Sequence, residues 1–441
     1  MTAFDKIEHA SLTDVGVRRA LNEDNLAVLL ASDEEKWRSQ GHLFLVADGM
    51  GGHAVGELAS ELAAANVPHT YHKHAALGPG PALRRAFQEA NATIFARGQQ
   101  TPEFKEMGTT ATALLLRPDG AWVGHVGDSR AYRIRAGVIE QLTFDHSHVW
   151  DIARRLGVHP EQIPGISSNL LMRSLGPQPV VQVDVEGPHP VQAGDIYVLC
   201  SDGLSGQVTD AELGAAATVL PPAEACRFLV DLANLRGGPD NITVVIVRTG
   251  AASENAPPAG GLRGLTPPPP GRPWYDRLPW PLLVQLLGLL LAVVAALLVF
   301  NKLPGGVPVF ALAAVVIVAG LVGLLMQYHR EKQRPPPEEP PTPPELHVYR
   351  QASCRLEAPL LNRLAQAVQA LGERVREKEW DADWPAYERH LELARQHERD
   401  GNLEGTFAEY CRAMRPLTEA LARNRSKEEA LLHVWDKEEG D

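Results

Sequence analysis

Short apolar runs alternate with turn residues over the first 250 residues, which is the pattern expected of strands in buried sheets. These runs predict strands at Leu26–Leu30, Leu43–Ala47, Ala111–Leu116, Ala121–Val126, Ala131–Arg135, Ile196–Cys200 and Thr243–Val247. Apolar residues recur at three- and four-residue spacing over Glu57–Ala65 and Pro81–Ala96, and this spacing predicts two helices. The pattern therefore predicts one α/β or α+β domain over residues 1–250.

The composition changes after this domain and divides the rest of the chain into four parts. Residues 251–280 are rich in Ala, Gly and Pro, which predicts an extended linker. Residues 281–326 contain two apolar runs joined by a short Gly/Pro-rich turn, and residues 327–344 are rich in Pro and Glu, which predicts a stiffer linker. Residues 345–441 have the periodicity of helices and predict a small all-α domain.

The two apolar runs, Pro281–Phe300 and Val307–Met326, contain no Asp, Glu, Lys or Arg. Each is close to the roughly 20 residues that a helix needs to cross a membrane, so the pattern favours a transmembrane helical hairpin over two buried helices. Lys and Arg cluster outside the two runs, whereas only Lys302 lies between them. By the positive-inside tendency, we expect a two-pass protein of the inner membrane with both flanking domains in the cytoplasm.

The C-terminal part predicts a helix at about Leu356–Lys378. The next part, Tyr387–Leu417, resembles a single tetratricopeptide-type helical hairpin, and an ordinary helical bundle explains it equally well because one such unit does not make a stable stack. No residue pattern for chemistry occurs here. The composition suggests a surface that binds another protein.

The charge balance narrows the class of partner. The 441 residues carry a formal net charge of −12, and affinity for nucleic acid depends on clustered Lys and Arg, so we expect no nucleic-acid partner. The four cysteines are widely separated, which gives no support for a zinc site or a disulfide framework and fits a reducing compartment. Residues 1–10 lack the apolar segment of a secretory signal.

Four acidic residues share one context, the end of an apolar run beside a Gly or Asn: Asp48, Asp128, Asp202 and Asp240. One such Asp alone is most simply a turn residue. If the runs pair in central sheets, however, the four carboxylates meet in one cleft and repel one another unless cations are bound. Oxygen ligands without Cys or a paired His set favour Mg2+ or Mn2+ over Zn2+. The pattern therefore predicts a magnesium or manganese cluster.

A charged segment just before a predicted strand adds Arg18, Arg19, Glu23 and Asp24. Alone, this segment is most simply a solvated turn. Beside a metal cluster, a fixed guanidinium suits a bound phosphate, because its planar fork matches two phosphate oxygens.

Eight motifs then occur in a fixed order over nearly all of residues 8–250. They are Gly16–Asp24 (GxxRxxNED), Asp48–Ser60 (DGMGGHxxGExAS), Gly108–Thr110 (GTT), Gly127–Arg130 (GDSR), Leu142–Ser147 (LTxDHS), Arg173–Gly176 (RSLG), Ser201–Leu204 (SDGL) and Asp240–Thr243 (DNIT). In this order they resemble the metal-dependent protein phosphatase family, type 2C, in its bacterial form. The resemblance implies a four-layer α-β-β-α sandwich of two antiparallel sheets with a metal site at one end.

The resemblance also implies a ligand set for two Mn2+ or Mg2+ ions. Asp48 would bridge the two ions, Glu23 and the Gly49 carbonyl would complete the protein ligands of one, and Asp202 and Asp240 those of the other.

Three further roles follow from the same resemblance. Asp128, with Asp202, would hold a third and weaker metal. Arg19, four residues before Glu23, would bind the phosphate, and Asp24 would orient water at the metals.

The reaction implied by the resemblance is hydrolysis of a phosphoserine or phosphothreonine monoester by water activated between two metals. The substrates would be phosphorylated proteins, including a Ser/Thr kinase or its targets. Met50 occupies the position where the eukaryotic branch has a His proposed as general acid, and a thioether has no proton to donate. The leaving-group proton would then come from water at the metals or from another residue. His53 is a weak candidate for this proton donor, because a packing role at the start of a helix fits it better.

Other histidines invite metal interpretations that we do not favour. His146 lies in the LTxDHS motif, and we expect a structural role for it. His69, His72 and His74 lie in what the sequence predicts to be a loop, with no carboxylate or Cys placed to complete a site.

Two functional hypotheses follow. The first is a membrane-tethered, Mg/Mn-dependent protein serine/threonine phosphatase that opposes a Ser/Thr kinase. The second is a catalytically idle scaffold that binds phosphoproteins in the same cleft and recruits partners through the C-terminal helices. The complete set of acids favours the enzyme.

Overall fold

The computed structural model describes residues 7–51, 54–163, 170–250, 280–301, 304, 306–333 and 346–424. The chain forms two compact units, one made of Met1–Leu265 with Pro344–Asp441 and the other of Thr266–Pro343. The predicted linkers, and His53 of the sequence motif, lie outside the described residues.

The first unit contains all the strands among the described residues. They are β1 (Ile7–Asp14), β2 (Asp24–Leu29), β3 (His42–Met50), β4 (Gly108–Thr109), β5 (Ala111–Arg117), β6 (Gly120–Val126), β7 (Arg130–Arg135), β8 (Val138–Gln141), β9 (Asp184–His189), β10 (Ile196–Cys200), β11 (Ile242–Thr249) and β12 (Arg350–Ser353).

The α-helices of the described chain are α1 (Glu34–Ser39), α2 (Ala54–His74), α3 (Pro79–Gly98), α4 (His148–Leu156), α5 (Asp202–Ser205), α6 (Asp210–Val219), α7 (Pro222–Leu235), α8 (Trp280–Phe300), α9 (Gly306–Gln333), α10 (Ala358–Glu377), α11 (Trp384–Arg399) and α12 (Leu403–Asn424). All but α8 and α9 belong to the first unit.

The strands pair in two antiparallel sheets. One has the order β1-β11-β10-β7-β8-β12, and the other has the order β2-β3-β5-β6-β9 with β4 paired to β3. Some adjacent strands are consecutive in the chain, such as β5 and β6, whereas β1 pairs along its whole length with the distant β11. This arrangement confirms the predicted two-sheet α/β class.

Three apolar clusters place the sheets and helices in four layers. Phe44 and Val46 from one sheet pack with Tyr197 and Val245 from the other, forming the core between the sheets. Helices α2 and α3 cover the outer face of the β2–β9 sheet, and α6 and α7 cover the outer face of the other. The alternation of buried side chains to opposite faces of each strand makes both faces apolar.

The helix α2 is longer than predicted. It continues past Pro68 to His74, so the prediction that His69, His72 and His74 lie in a loop is wrong. The added turns bury Val67 and Tyr71, and the Tyr71 hydroxyl donates to the Gln40 carbonyl at 2.7 Å. Tertiary packing of these side chains outweighs the loop-like local composition.

The C-terminal residues join the first unit instead of forming a separate body. The predicted helix at Leu356–Lys378 corresponds to α10, and the predicted hairpin corresponds to α11 and α12. Phe407 of α12 contacts Phe228 of α7 with ring centroids 6.0 Å apart, and both belong to one continuous apolar cluster. The apolar face of α12 around Phe407 is therefore buried against the N-terminal domain.

The second unit consists of α8 and α9, which pack against each other. Among the side chains that the structure describes, no helix has an apolar stretch long enough to cross a membrane. The predicted transmembrane hairpin is therefore present as a helical pair but not supported as a membrane-crossing one. Side chains at the start of α8 and after residue 323 of α9, which the prediction included, are outside the described set.

Candidate active site

The site begins where the β2–β3 ladder ends. Asp24 and Asp48 are directly opposite each other in the register of these two strands. The residues of β3 before Asp48 are almost completely shielded from solvent, because they face the core on both sides of the sheet. The buried run therefore fixes the backbone that presents the Asp48 carboxylate at the end of this interior strand.

Gly49 is required by the close approach of three backbone segments. A Cβ at this position would lie 2.2 Å from the Gly56 carbonyl oxygen and 2.5 Å from that of Glu23. The Gly49 N–H donates to the Glu23 carbonyl at 3.1 Å. The absence of a side chain thus lets the α2 start, the β3 end and the segment before β2 meet.

The second pair of acids comes from the other sheet. Asp202 opens α5 after β10, and Asp240 precedes β11. Ser201 links the two sheets, because its hydroxyl donates to Asp24 Oδ2 at 2.7 Å and accepts from the Thr243 N–H at 2.9 Å. The acids of both sheets are therefore held at one end of the sandwich.

Glu23 and Arg19 complete this group. The Glu23 N–H donates to Asn241 Oδ1 at 2.8 Å, which ties the segment before β2 to the segment before β11. Arg19 Nη2 donates to Asp240 Oδ2 at 2.7 Å. The Arg19 guanidinium also interacts electrostatically with the carboxylates of Glu23 and Asp48. Arg18, by contrast, uses its backbone N–H to reach Gly238.

The electrostatics show how closely the acids approach. Burial, followed by the charges of Asp24, Asp202, Asp128 and Asp240, raises the pKa of Asp48 well above its ordinary value. Burial raises the pKa of Asp24 to about 7, against hydrogen bonds from Thr243 and Ser201 that lower it. The site therefore holds more carboxylates than the positively charged side chains around it can neutralise.

Two observations test whether metal ions fit here. Asp24 Oδ1 and Asp202 Oδ1 are buried and accept no hydrogen bond. Burial and then the charge of Asp240 raise the pKa of Asp202, so a cation would relieve a real electrostatic cost. Within the described chain, no three His, Cys, Asp or Glu side chains have the spacing of a preformed metal site. The oxygen donor set and the orphaned carboxylate oxygens nevertheless fit divalent cations.

Asp128 joins the cluster from the turn between β6 and β7. Burial, followed by the charge of Asp202, raises the pKa of Asp128 well above its ordinary value. Gly127 before it has φ +118°, and a Cβ there would lie 2.5 Å from Thr110 Cβ, so only Gly fits. The Thr110 hydroxyl lies 2.8 Å from that of Ser129.

His146 holds this turn from behind, which gives the LTxDHS histidine the structural role that we expected. Its N–H donates to the Gly127 carbonyl at 2.7 Å, and its Nδ1 accepts from the Gly127 N–H at 3.0 Å. Its Nε2 lies 2.9 Å from Asp184 Oδ2, and Arg173 Nη1 donates to Asp184 Oδ1 at 3.1 Å. The ring is 1% exposed, so these contacts define its orientation.

The sequence did not identify Asp184 or His125 as part of this network. Asp184 begins β9, an edge strand with half-buried alternation, and no motif surrounds it. The His125 ring lies 4.7 Å from that of His146, with its Nε2 3.0 Å from the Phe144 carbonyl. The only signal in the sequence is that His125 stands within the apolar run that forms β6.

Comparisons with known proteins match part of this chain. The family model described as protein phosphatase 2C matches residues 9–149. The serine/threonine protein phosphatase PstP of Mycobacterium tuberculosis is 34% identical over 241 residues, covering 54% of this chain and 44% of the relative. The chain thus spans less than half the length of this relative.

Two other similar proteins are covered almost completely. The serine/threonine phosphatase stp of Listeria innocua is 34% identical over 244 residues, covering 53% of this chain and 93% of the relative. The solved structure of the S. agalactiae serine/threonine phosphatase has a TM-score of 0.50 and 31% identity, covering 55% of this chain and 99% of that one.

Proposed function

The chain belongs to the protein phosphatase 2C family, and on that premise we propose that it is a protein serine/threonine phosphatase. The substrates are phosphoserine and phosphothreonine monoesters on proteins. One observation carries the proposal: burial and their mutual charges raise the pKa values of Asp24, Asp48, Asp128 and Asp202 at one end of the sandwich, where Asp240 adds its charge and pairs with Arg19.

Divalent cations account for this concentration of acids. Asp48, Glu23 and the Gly49 carbonyl would hold one Mn2+ or Mg2+ ion, and Asp48, Asp202 and Asp240 a second, with Asp128 and Asp202 available to a third, weaker one. When bound, such ions neutralise phosphate charge and acidify water.

The protein's own groups bind and orient the substrate. Arg19 is half exposed and directs its guanidinium toward the acids, so its free N–H groups can bind phosphate oxygens. Its ion pair with Asp240 holds the side chain in place before substrate arrives. Asp24 is buried and fixed by Ser201, which suits it to orient water beside the phosphate.

Proton supply to the leaving alcohol differs from the eukaryotic pattern. Met50 ends β3 at the position of the proposed general acid and has no proton to give. Solvent in the open site or another residue supplies the proton.

Turnover of a phosphothreonine peptide by the full-length protein tests the function. We expect Mn2+-dependent release of phosphate, and a loss of at least about 100-fold in kcat for Asp48→Asn and Asp202→Asn. Asp400→Asn, at an exposed aspartate after α11, is the matched control and should keep full activity.

The idle-scaffold hypothesis makes the opposite prediction. It expects no metal-dependent turnover by the wild type and unchanged binding of a phosphopeptide by Asp48→Asn. That pair of results would overturn the phosphatase assignment.

We infer a location at the inner membrane, with the first unit in the cytoplasm, from the helical hairpin. Large apolar side chains of α8 and α9 are exposed, including Leu289 (63%), Phe300 (85%) and Val307 (77%). Exposed apolar surface of this kind is typical of contact with lipid or another protein. Reporter fusions after residues 250 and 335 test the location, and an extracytoplasmic signal from either would contradict it.

The physiological partner follows from the reaction. A phosphatase of this class acts on proteins that a Ser/Thr kinase has phosphorylated, and the kinase itself is one such protein. Phosphoproteins captured by the Asp48→Asn protein and released by inorganic phosphate would identify these substrates.

A further inference from the structure

Residues 346–354, here called the C-terminal strap, lie along the edge of the sheet that runs from β1 to β12. Strand β12 within the strap pairs with β8, with Arg350 opposite Gln141. The Tyr349 N–H donates to the Gln141 carbonyl at 2.9 Å, and the Cys354 N–H donates to the Gly137 carbonyl at 3.0 Å. The strap is thus built into the sheet that carries Asp202 and Asp240.

Both carboxylate oxygens of Glu186 accept hydrogen bonds from the strap. The Tyr349 hydroxyl donates to Oε1 at 2.6 Å, and the His347 N–H donates to Oε2 at 3.1 Å. Glu186 belongs to β9 of the other sheet, and its side chain is only 15% exposed. The strap therefore joins the two sheets at one edge through the nearly buried carboxylate of Glu186. Hydrogen bonds to a charged acceptor are stronger than those between neutral groups.

Glu186 and Asp184 are two residues apart on β9, so their side chains project from the same face. Together with Tyr349 and His125 they line one small cavity. Asp184 in turn accepts from His146, which pins Gly127 in both directions. One line of neighbouring side chains thus runs from the strap through Glu186, Asp184 and His146 to Gly127, the residue before Asp128.

The Tyr349 ring provides a second line. It packs against Phe144 with centroids 5.6 Å apart, and Phe144 is two residues before His146. The Phe144 carbonyl contacts His125 Nε2, and the other ring nitrogen of His125 lies 2.9 Å from Thr112 Oγ1. Thr112 donates to the carbonyl of Ser129, the residue after Asp128. The two lines therefore end on opposite sides of Asp128.

We propose that the C-terminal strap positions Asp128, with Tyr349 and Glu186 as the positioning residues. This inference rests on the proposed phosphatase function, because the role of Asp128 in weak metal binding belongs to it. Attachment of the strap holds the Gly127–Ser129 turn in the orientation that faces Asp202. Detachment leaves the turn freer and the weak metal site poorer, so the C-terminal region regulates the site through this contact.

The test compares full-length Tyr349→Phe and Glu186→Gln proteins with the wild type. Tyr349→Phe keeps the ring against Phe144 and removes only the hydroxyl that reaches Glu186. Arg412→Gln is the matched control, because it removes an ion pair between α12 and Glu224 of α7 and leaves the strap intact. Thermal melting confirms that each protein is folded.

Amide hydrogen exchange at Gly127 is the first measurement, because that N–H donates directly to His146. We expect exchange about fivefold faster in both strap variants and unchanged in Arg412→Gln. The effects of the two changes should be less than additive in the double variant, because both act on the hydrogen bond between Tyr349 and Glu186. Wild-type exchange at Gly127 in both single variants would overturn the inference.

The second measurement is the Mn2+ concentration that gives half-maximal turnover. Because Tyr349 and Glu186 lie outside the acid cluster, we expect this concentration to rise about tenfold in the strap variants, with kcat at saturating Mn2+ nearly unchanged. An equal fall of kcat at every Mn2+ concentration would overturn the positioning role. If the wild type shows no turnover, the proposed function fails, whereas exchange at Gly127 still decides whether the strap holds the turn.

Discussion

Asp48 shows how one side chain acquires its properties from its neighbours. Its carboxylate is placed by a fully buried strand, and four other aspartates raise its pKa after burial. Without cations, the folded protein bears a repulsion that the unfolded chain does not. The residue best suited to chemistry is therefore one that weakens the metal-free fold.

The first prediction follows from this repulsion. In metal-free buffer at pH 7, Asp48→Asn should raise the free energy of unfolding by about 1 kcal/mol, because one member of the cluster loses its charge. Urea unfolding followed by tryptophan fluorescence measures the change. Asp400→Asn should be neutral, and a destabilised Asp48→Asn protein would show that the acids do not repel.

The second prediction concerns acid stability and His189. This residue is completely buried, neither ring nitrogen has a hydrogen-bond partner in the described structure, and burial lowers its pKa to about 3. The unfolded chain takes up a proton near the ordinary pKa of 6.5 that the folded protein excludes, so stability falls as pH drops from 6.5 toward 3. At pH 5 the loss is about 2 kcal/mol.

Substitution of this histidine should remove that loss. His189→Gln should show a smaller fall in the free energy of unfolding between pH 7 and pH 5 than the wild type. His69→Gln, at an exposed position of α2, serves as control and should follow the wild type. Equal slopes for the His189→Gln protein and the wild type would contradict the prediction.

The sequence predicts a cluster of the acids that stand at the ends of apolar runs, and in the structure the charges of Asp128, Asp202 and Asp240 act on Asp48. The metal-binding role of these acids stays a prediction. The sequence could not identify Asp184, because a polar residue starting a half-buried edge strand has no distinguishing neighbours. The sequence can therefore indicate which acids cluster, because they stand at the ends of apolar runs. It cannot indicate the residues that support them, because those are brought together only by the order of strands in the sheets.

At the scale of elements, all seven predicted strands are present. Most of them are apolar runs buried on both faces, whereas β2 is half-buried and β7 contains Arg133 and Arg135. Apart from the two-residue β4, the strands that were not predicted are β1, β8, β9 and β12. Half-buried residues alternate with buried ones in β8 and β9, and with exposed ones, for the most part, in β1 and β12. Such alternation is too weak in four to eight residues to separate a strand from a loop. Long-range pairing decides these segments.

The third prediction belongs to the contact between α12 and α7. Phe407 is 2% exposed and packs on Phe228, so Phe407→Ala should lower the free energy of unfolding by about 3 kcal/mol. Leu403→Ala, on the same helix with 43% of its surface exposed, should cost under about 0.5 kcal/mol. Chemical denaturation measures both.

The same experiment reports on cooperativity. Because α12 shares an apolar cluster with α7, the change should appear in the transition of the N-terminal sheets as well. A separate early transition of the C-terminal helices, with the sheets unaffected, would show that the two parts unfold independently.

At the scale of the whole molecule, composition divides the N-terminal and C-terminal parts of the chain, whereas the structure joins these two parts by burying apolar side chains between them. The linker composition predicted a separate C-terminal domain, yet residues from 344 on belong to the first unit. Composition reports whether a segment can fold and does not report where its apolar face is buried. The C-terminal residues therefore complete the unit that the N-terminal residues begin.

The fourth prediction is stabilisation of the whole protein by cations. Mn2+ at about 100 times its dissociation constant should add about 2.7 kcal/mol to the free energy of unfolding, because it binds only the folded acids. The melting temperature should therefore rise with Mn2+ and return with EDTA. An Asp202→Asn/Asp240→Asn protein should lose most of the effect, and an equal rise there would contradict binding at the cluster.

The position of β12 at the sheet edge has a practical consequence for work on isolated pieces. A chain ending at residue 250 would leave β8 as an open edge with unpaired backbone groups, and it would uncover the apolar side of α7 around Phe228. Open edges and bare apolar helices promote self-association. We therefore expect such a piece to self-associate, and the intact polypeptide is the better starting material for biochemistry.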